Sequence, residues 1–239
     1  MNDSIAEVLD GTSTWAVVQA DCRQVVLPKP ALIMADPPYG ISHPCAFGAR
    51  GRSKLAQARD FADVRGDSEP FDPTFLLELD CPTVLWGANH FADKLPSSGG
   101  WLVWDKERPD DLDQATCELA WTNFVKGVRR FRYLWHGMMR AGQHGPLVHP
   151  TEKPVALSEW VLSLRWAPAP EAGIVLDPFA GSFSTGVACV RNGRSFVGIE
   201  SEAAYCEIGR RRLAEAAAQG MLFAPAARKV RDDAADLLL

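Results

Sequence analysis

Residues 31–40 constrain the fold more than any other stretch of the chain. They begin with the apolar run Ala-Leu-Ile-Met-Ala, which predicts a buried strand, and continue as Asp-Pro-Pro-Tyr-Gly. Two consecutive prolines disfavour both a strand ladder and a helix, so the chain must leave the sheet there as a stiff loop. Asp36 and Tyr39 are therefore expected at the carboxyl end of a strand, where open α/β sheets bind their ligands. Taken alone, the stretch also fits a Pro-rich turn behind a core strand.

A second stretch repeats this pattern nearer the C-terminus. Residues 173–185 predict a strand that ends at Asp177, an acidic Gly/Ser loop and the start of a helix. The loop lacks both the Gly-Lys-Ser/Thr of a Walker loop and the Gly-x-Gly-x-x-Gly of a dinucleotide site, and its carboxylate suits a cationic, amine-bearing ligand. Glu200 ends a strand predicted over 195–200, at about the 20-residue offset where βαβ units place an acceptor for ribose hydroxyls.

Together, Asp36-Pro-Pro-Tyr and Asp177-Pro-Phe-Ala-Gly-Ser resemble the catalytic and cofactor motifs of S-adenosylmethionine-dependent DNA amino-methyltransferases. The catalytic motif comes first, which is similar to the circularly permuted β group of adenine-N6 and cytosine-N4 enzymes. The resemblance covers most of the chain, from about Trp15 to Arg212. It implies a Rossmann-like α/β fold with a mostly parallel, seven-stranded sheet and helices on both faces.

The resemblance also implies the residues of a site. Asp36 and the carbonyl of Pro37 would accept hydrogen bonds from the target amine, Tyr39 would stack on the extruded base, and Pro38 completes the catalytic motif. The residues implied for binding the cofactor S-adenosyl-L-methionine are Asp21, Cys22, Asp36, His149, Thr151, Lys153, Asp177, Phe179, Gly181, Ser182, Ser184, Thr185 and Glu200. For Asp21, a capping role in a turn fits the sequence equally well.

One residue departs from the family pattern. Phe183 stands where the family usually has a second glycine. Its side chain is expected either to crowd the cofactor or to force a different backbone angle.

The implied activity is methyl transfer to the N6 amine of adenine in DNA, by base flipping and direct displacement. Asp at position 36 favours adenine, because cytosine-N4 enzymes more often carry Ser there, and cytosine-N4 transfer is the runner-up. RNA methylation and a cofactor-binding regulatory protein without catalysis are further alternatives. Cys45 follows a complete amine-type motif and is not expected to act as the nucleophile of a cytosine-C5 enzyme.

Two segments are predicted to contact DNA. One is a mobile loop over residues 41–70, and the other is an arginine- and aromatic-rich run over 128–140 within a small target-recognition region at 105–148. The cations expected to contact phosphates are Arg50, Arg52, Lys54, Arg129, Arg130, Arg132 and Arg140. A solvated loop and an ordinary half-buried strand are the respective alternatives.

Composition bounds the class of protein. A chain of 239 residues with 47% apolar content is expected to form one domain, with residues 222–239 as a tail. No apolar run reaches the roughly 20 residues of a membrane span, the N-terminus does not resemble a signal peptide, and the six cysteines are scattered. We therefore expect a cytoplasmic protein without a metal site. Double-stranded DNA is the expected partner, and a homodimer is a further possibility.

Overall fold

A single large β-sheet forms the centre of the protein. The structure is a computed structural model that describes residues 2–41, 66–109, 115–136, 139–142 and 147–222. The strands are β1 (Trp15–Gln19), β2 (Leu32–Ala35), β3 (Thr83–Trp86), β4 (Gly100–Asp105), β5 (Cys117–Thr122), β6 (Val128–Arg132), β7 (Trp135–His136), β8 (Met139–Arg140), β9 (Val175–Asp177) and β10 (Phe196–Glu200). The helices are α1 (Asp3–Leu9), α2 (Thr74–Leu77), α3 (Val155–Ser163), α4 (Ser184–Arg191) and α5 (Ala203–Leu222), with short 3-10 turns at Cys22–Gln24, Ala88–His90, Ala92–Lys94 and Pro170–Ala172.

The sheet has eight strands in the described part of the chain, in the order β1-β10-β9-β2-β3-β5-β4-β6. Only β5, between β3 and β4, runs antiparallel to its neighbours. The mostly parallel sheet is as expected, but the expected number of seven strands is wrong. The additional strand is β6, the first part of the arginine-rich run, which pairs in parallel with β4 through all five of its residues. β7 and β8 form a separate antiparallel pair.

The topology brings the two motifs together. β2, which leads to Asp36, pairs in parallel with β9, which ends at Asp177, although the two lie far apart in the sequence. From β9 the chain continues to β10 on one side, whereas from β2 it continues to β3 on the other side. The junction of β2 and β9 is thus the switch point of the sheet, where open α/β folds bind their ligands.

Apolar side chains cover both faces of the sheet. Alternate residues of β2 enter opposite cores: Leu32 and Met34 pack with residues of α3, α4 and α5, whereas Ile33 and Ala35 pack with residues of α1 and α2. Burial on both faces explains why the central parallel strands read as continuous apolar runs. The polar loops after these strands are left to form the edge of the sheet.

Two elements extend to the edges of the described segments. The helix α5 continues through Gly220 to Leu222. The strand β5 begins at Cys117, and the side chain of Glu118 is only 21% exposed. Pairing of β5 with both β3 and β4 draws these residues into the sheet.

Some predictions lie outside the described residues. These are most of the loop 41–70, with Arg50, Arg52, Lys54 and Cys45, and nearly all of the tail 222–239. Within the described part of the chain, no helix combines the length and apolarity that crossing a membrane requires. In the same part, no group of three or more His, Cys, Asp and Glu side chains is placed to hold a metal ion, and the five cysteines are free thiols.

Candidate active site

A deep cleft of about 2090 Å³ lies at the carboxyl ends of the parallel strands. This volume exceeds the roughly 300–1000 Å³ of a site for one small ligand, so a cofactor and a base fit together. The cleft is lined by every residue that the sequence predicts for catalysis or cofactor binding: Asp21, Cys22, Asp36, Pro37, Pro38, Tyr39, His149, Thr151, Lys153, Asp177, Phe179, Gly181, Ser182, Ser184, Thr185 and Glu200. The fold therefore brings these predicted residues together, and their individual roles stay predictions.

Asp36, Tyr39 and Lys153 form a hydrogen-bonded triangle in the cleft. The Tyr39 hydroxyl donates to Asp36 Oδ1 at 2.6 Å and accepts from Lys153 Nζ at 3.1 Å, and Nζ also contacts Asp36 Oδ2 directly. Burial raises the pKa of Asp36 above its ordinary value, although the charge of Lys153 opposes the shift. Burial and the Asp36 carboxylate raise the pKa of Tyr39 well above its usual value, so the phenol keeps its proton and donates it in a hydrogen bond.

Glu118 and Lys106, which are not among the residues predicted for the site, continue the ion-pair network that begins at Lys153. Glu118 Oε2 lies 3.2 Å from Lys153 Nζ, and Glu118 Oε1 lies 2.5 Å from Lys106 Nζ. Burial by itself would raise the pKa of Glu118, but the two ammonium groups outweigh it and lower the pKa to about 2. Burial by itself would lower the pKa of Lys153, but Asp36 and Glu118 raise it instead. The pairing of Glu118 with Lys153 has no local sequence signal, because β5 reaches the cleft only through its antiparallel insertion.

Asp67 fixes the catalytic loop. Its Oδ1 accepts backbone N–H groups from Tyr39 and Gly40 at 2.9 Å and from Ile41 at 3.4 Å, and the residue is only 7% exposed. The sequence did not assign Asp67 to the site. Its contact with a loop 28 residues away is a tertiary feature.

Asp67→Ala is expected to loosen the catalytic loop. A hydrogen bond to a charged acceptor contributes about 1.5–3 kcal/mol, so we expect a loss of about 2 kcal/mol in the free energy of unfolding. Amide exchange at Tyr39 and Gly40 should be at least about tenfold faster, measured by hydrogen exchange with NMR detection. Asp10→Ala is the matched control, because Asp10 Oδ1 accepts the Thr12 N–H in an exposed turn outside the cleft. Unchanged protection in Asp67→Ala would contradict the role of Asp67.

The absence of a side chain at Gly87 leaves the space that the Tyr39 ring occupies. Gly87 has a φ of +68°, and a Cβ built there would lie 2.0 Å from Tyr39 Cε1, so no larger residue fits without moving the ring. The Tyr39 ring also stacks on the exposed His90, with centroids 5.0 Å apart and planes 14° apart. The loop after β3 thus positions the aromatic ring of the catalytic motif.

The carboxyl group of Asp177, the last residue of β9, has a strongly shifted pKa. Asp177 is 3% exposed and its Oδ1 accepts the Phe179 N–H at 3.1 Å. Burial raises the pKa of Asp177 to about 7, although hydrogen bonds from Phe179 and Thr185 oppose the shift. A cation bound beside this carboxylate would offset the cost of its burial.

The other predicted cofactor residues surround this loop. Glu200 Oε2 accepts the Gly181 N–H at 2.9 Å, which ties the end of β10 to the loop after β9. A Cβ at Gly181 would lie 3.3 Å from His149 Nε2, so the His149 ring closes over the loop. Burial, helped by Lys153, lowers the pKa of His149 to about 4, and its imidazole is therefore neutral at pH 7. Asp21 caps the turn after β1 and pairs with Arg23, as the alternative interpretation expected, while it also lines the cleft.

Phe183 keeps the backbone of a glycine and turns its side chain away from the cleft. Its φ of +61° and ψ of 27° lie in the left-handed region, and its side chain is fully buried. The ring occupies space that two glycines leave open, since a Cβ at Gly198 or Gly209 would lie 2.6 Å or 2.3 Å from it. The expected crowding of the cleft is therefore wrong.

The arginines predicted to bind DNA lie in different surroundings. Arg129 and Arg130 are exposed on β6, the edge strand of the sheet. Arg132 lies 3.4 Å from Asp105 and 3.3 Å from Glu107, so its charge is already balanced. Arg140 lines the cleft, with its guanidinium 5.4 Å from the centroid of a Trp135 ring.

The aromatic residues of this run serve packing. The rings of Phe131 and Trp160 stack at 5.2 Å, those of Phe131 and Tyr133 at 5.5 Å, and Trp135 is only 6% exposed. These contacts fit the alternative of a half-buried strand, with the arginine side chains outward.

Comparisons with known proteins agree with this architecture. Residues 103–211 match the model of the DNA methylase family N6_N4_Mtase. The DNA adenine methyltransferase YhdJ of Escherichia coli (strain K12) is 48% identical over 65 residues, which are 27% of this chain and 21% of that protein. The type II methyltransferase M2.LlaDCHI of Lactococcus lactis subsp. cremoris is 42% identical over 73 residues, 30% of this chain and 26% of that protein. The matched segments thus span only about a fifth to a quarter of these two relatives.

A solved structure shows the same fold. The PvuII DNA methyltransferase, described as cytosine-N4-specific, has a TM-score of 0.53 over 84% of this chain and 86% of that chain, at 12% identity. The sheet order and this likeness define a Rossmann-like methyltransferase fold. The match of residues 103–211 to the model of the N6/N4 DNA methylases supports the resemblance found in the sequence. The matched segment contains Asp177 but not Asp36, which the pairing of β2 with β9 places beside it.

Proposed function

We propose that this protein transfers a methyl group from S-adenosyl-L-methionine to the N6 amine of adenine in double-stranded DNA. The observation that carries the proposal is the convergence of Asp36, Tyr39 and Asp177 on one cleft at the switch point of a methyltransferase fold. The match to the N6/N4 DNA methylase model and the similarity to a DNA adenine methyltransferase and a type II methyltransferase support it. Action in the cytoplasm and a homodimeric state are predictions that go with this function.

The charges of the cleft fit the proposed cofactor. The carboxylates of Asp177 and Glu200 line it, and an acidic pair of this kind favours a cationic ligand with an amino group over a nucleotide phosphate. When bound, S-adenosylmethionine supplies an electrophilic methyl group. Asp177 and Glu200 would hold the cofactor, and the His149 ring would close over the loop after β9.

Residues of this protein would activate the target amine by orienting it. The Asp36 carboxylate and the Pro37 carbonyl can accept the two N–H groups of an extruded adenine, which directs the nitrogen lone pair into the cleft. Methyl transfer would form the N–C bond and break the bond between the methyl carbon and the sulfonium sulfur, which would leave as a neutral thioether. The nitrogen would then lose one proton, and Asp36 is the carboxylate that would accept it. Burial raises the pKa of Asp36, which makes this carboxylate a better proton acceptor. The rate thus comes from orientation and exclusion of water.

Methyl-labelled cofactor tests the proposal directly. The protein is incubated with unmethylated double-stranded DNA, with RNA or without nucleic acid, and the products are digested to nucleosides. Label in N6-methyl-2′-deoxyadenosine from DNA is the expected result. Label in N4-methyl-2′-deoxycytidine would establish the alternative base, label only from RNA would change the substrate, and absence of label from every nucleic acid would contradict the activity.

Cofactor affinity is expected to rise with pH through the titration of Asp177. The pKa of about 7 means that this carboxyl is mostly protonated at pH 6 and mostly ionised at pH 7.5. If the cationic cofactor binds the ionised form, its dissociation constant should fall about eightfold between these two pH values. Calorimetry at both pH values measures this. Asp177→Asn is the control that should remove the pH dependence, and a wild-type affinity independent of pH would contradict this role.

A further inference from the structure

Asp36 and Lys153 present an acceptor and a donor side by side to the cleft. The ammonium of Lys153 contacts Asp36 Oδ2, and the Tyr39 hydroxyl bridges the two residues by donating to Asp36 and accepting from Lys153. Both side chains line the cleft. The side chain of Lys153 is 12% exposed and that of Asp36 is 22% exposed, so the pair is partly shielded from water but open to a ligand.

An adjacent acceptor and donor match one type of base edge. Enzymes that flip a base read it by hydrogen bonds to its Watson–Crick edge. Adenine presents there an N6 amine, which donates, beside N1, which accepts, and cytosine presents an N4 amine beside N3 in the same order. Guanine and thymine present a carbonyl beside a ring N–H, which is the reverse order. The carbonyl would then face the Asp36 carboxylate, and the ring N–H would face the Lys153 ammonium.

We propose that Lys153 is a specificity-determining residue that donates a hydrogen bond to the ring nitrogen beside the target amine, N1 of adenine or N3 of cytosine, while Asp36 accepts from the amine. This inference rests on the proposed function and deepens it. It defines the substrate edge as an amine next to an acceptor nitrogen. The pair admits adenine and cytosine and rejects guanine and thymine.

The surroundings of Lys153 suit a donor that keeps its proton. Glu118 Oε2 lies 3.2 Å from Lys153 Nζ, and Glu118 Oε1 lies 2.5 Å from Lys106 Nζ. Asp36 and Glu118 raise the pKa of Lys153 against the effect of burial. A ring nitrogen therefore receives a hydrogen bond rather than the proton itself. This matters because a protonated ring would draw electron density from the amine that must act as the nucleophile.

Free nucleosides test the inference without a known target sequence. S-adenosylhomocysteine at saturation blocks the adenosine site of the cofactor, and the dissociation constants of adenosine, 1-deazaadenosine and 7-deazaadenosine are then measured by NMR titration. 1-Deazaadenosine replaces N1 by C–H, whereas 7-deazaadenosine keeps N1 and serves as the matched ligand control. Wild-type protein should bind 1-deazaadenosine about tenfold more weakly than adenosine, as expected for one lost hydrogen bond to a charged donor, and 7-deazaadenosine should bind like adenosine.

Variants assign the effect to Lys153. Lys153→Met should bind adenosine and 1-deazaadenosine with equal affinity, whereas Lys153→Arg keeps a donor and should still distinguish them. Lys126→Met is the matched protein control, because Lys126 is an exposed lysine that does not line the cleft, and it should keep the discrimination.

Several results would overturn the inference. Equal affinity of wild-type protein for the two nucleosides would do so even if no variant folds. Adenosine binding that tightens in Lys153→Met would show that the lysine only occupies the acceptor of Asp36. Because no methyl transfer is measured, discrimination by a protein that labels no nucleic acid supports the role of Lys153 while contradicting the proposed activity.

Discussion

Asp36→Ala is expected to lower the rate of methyl transfer by about 100-fold or more, because it removes an acceptor that acts mainly as the amine becomes a nucleophile. The remaining cleft stays formed, since Lys153 keeps its contact with Glu118 and Asp67 still holds the loop backbone. Cofactor affinity should therefore change little. Single-turnover assays with labelled cofactor and calorimetry with the cofactor measure the two quantities separately.

A matched control lies at the end of another strand of the same sheet. Asp105 ends β4, pairs with Arg132 and does not line the cleft, so Asp105→Ala should keep near-normal turnover. Near-normal turnover in Asp36→Ala would remove the carboxylate from the mechanism. Equal loss in both variants would point to a general effect on folding.

Phe183→Gly is expected to destabilise the protein by about 2–4 kcal/mol, even though a glycine is usual in this family and relaxes a left-handed backbone. Emptying the space of a buried phenylalanine costs about 3–5 kcal/mol, whereas relief of a left-handed residue returns only about 1 kcal/mol. The ring is fully buried and meets Phe196 edge-on at 6.4 Å. Urea unfolding followed by circular dichroism measures the change.

A double-mutant cycle tests whether Phe183 and Gly209 share this space. Gly209→Ala should destabilise the wild type, because its Cβ would lie 2.3 Å from Phe183 Cδ2, but it should be tolerated in Phe183→Gly. A coupling energy on the order of 1–3 kcal/mol is expected for residues in direct contact. Gly99→Ala is the control, since a Cβ there meets nothing within 4 Å. Additive effects of the changes at Phe183 and Gly209 would show that the Phe183 ring does not fill the space beside Gly209.

The sequence predicted the parts of the site that depend on local chain chemistry. An apolar run followed by Asp-Pro-Pro-Tyr predicts a buried strand with a stiff exit loop, and the apolar run that ends at Asp177 is likewise followed by a loop with small residues. These two patterns located Asp36 and Asp177 at strand ends. The order of strands in the sheet then follows a rule common to open α/β folds, so the residues fell in one cleft as expected.

The sequence by itself thus determined the strand ends, the acidic loops and the class of fold, because these depend on backbone preferences and burial of neighbouring residues. Only the tertiary structure decided which residues contact the predicted site residues. Glu118 reaches Lys153 because β5 inserts antiparallel between β3 and β4, and Asp67 reaches the catalytic loop across 28 residues. Phe183 avoids the cleft because Gly209 on another element leaves room for its ring. Such contacts join residues far apart in the chain, and no pattern of neighbouring residues encodes them, since they depend on how whole elements pack.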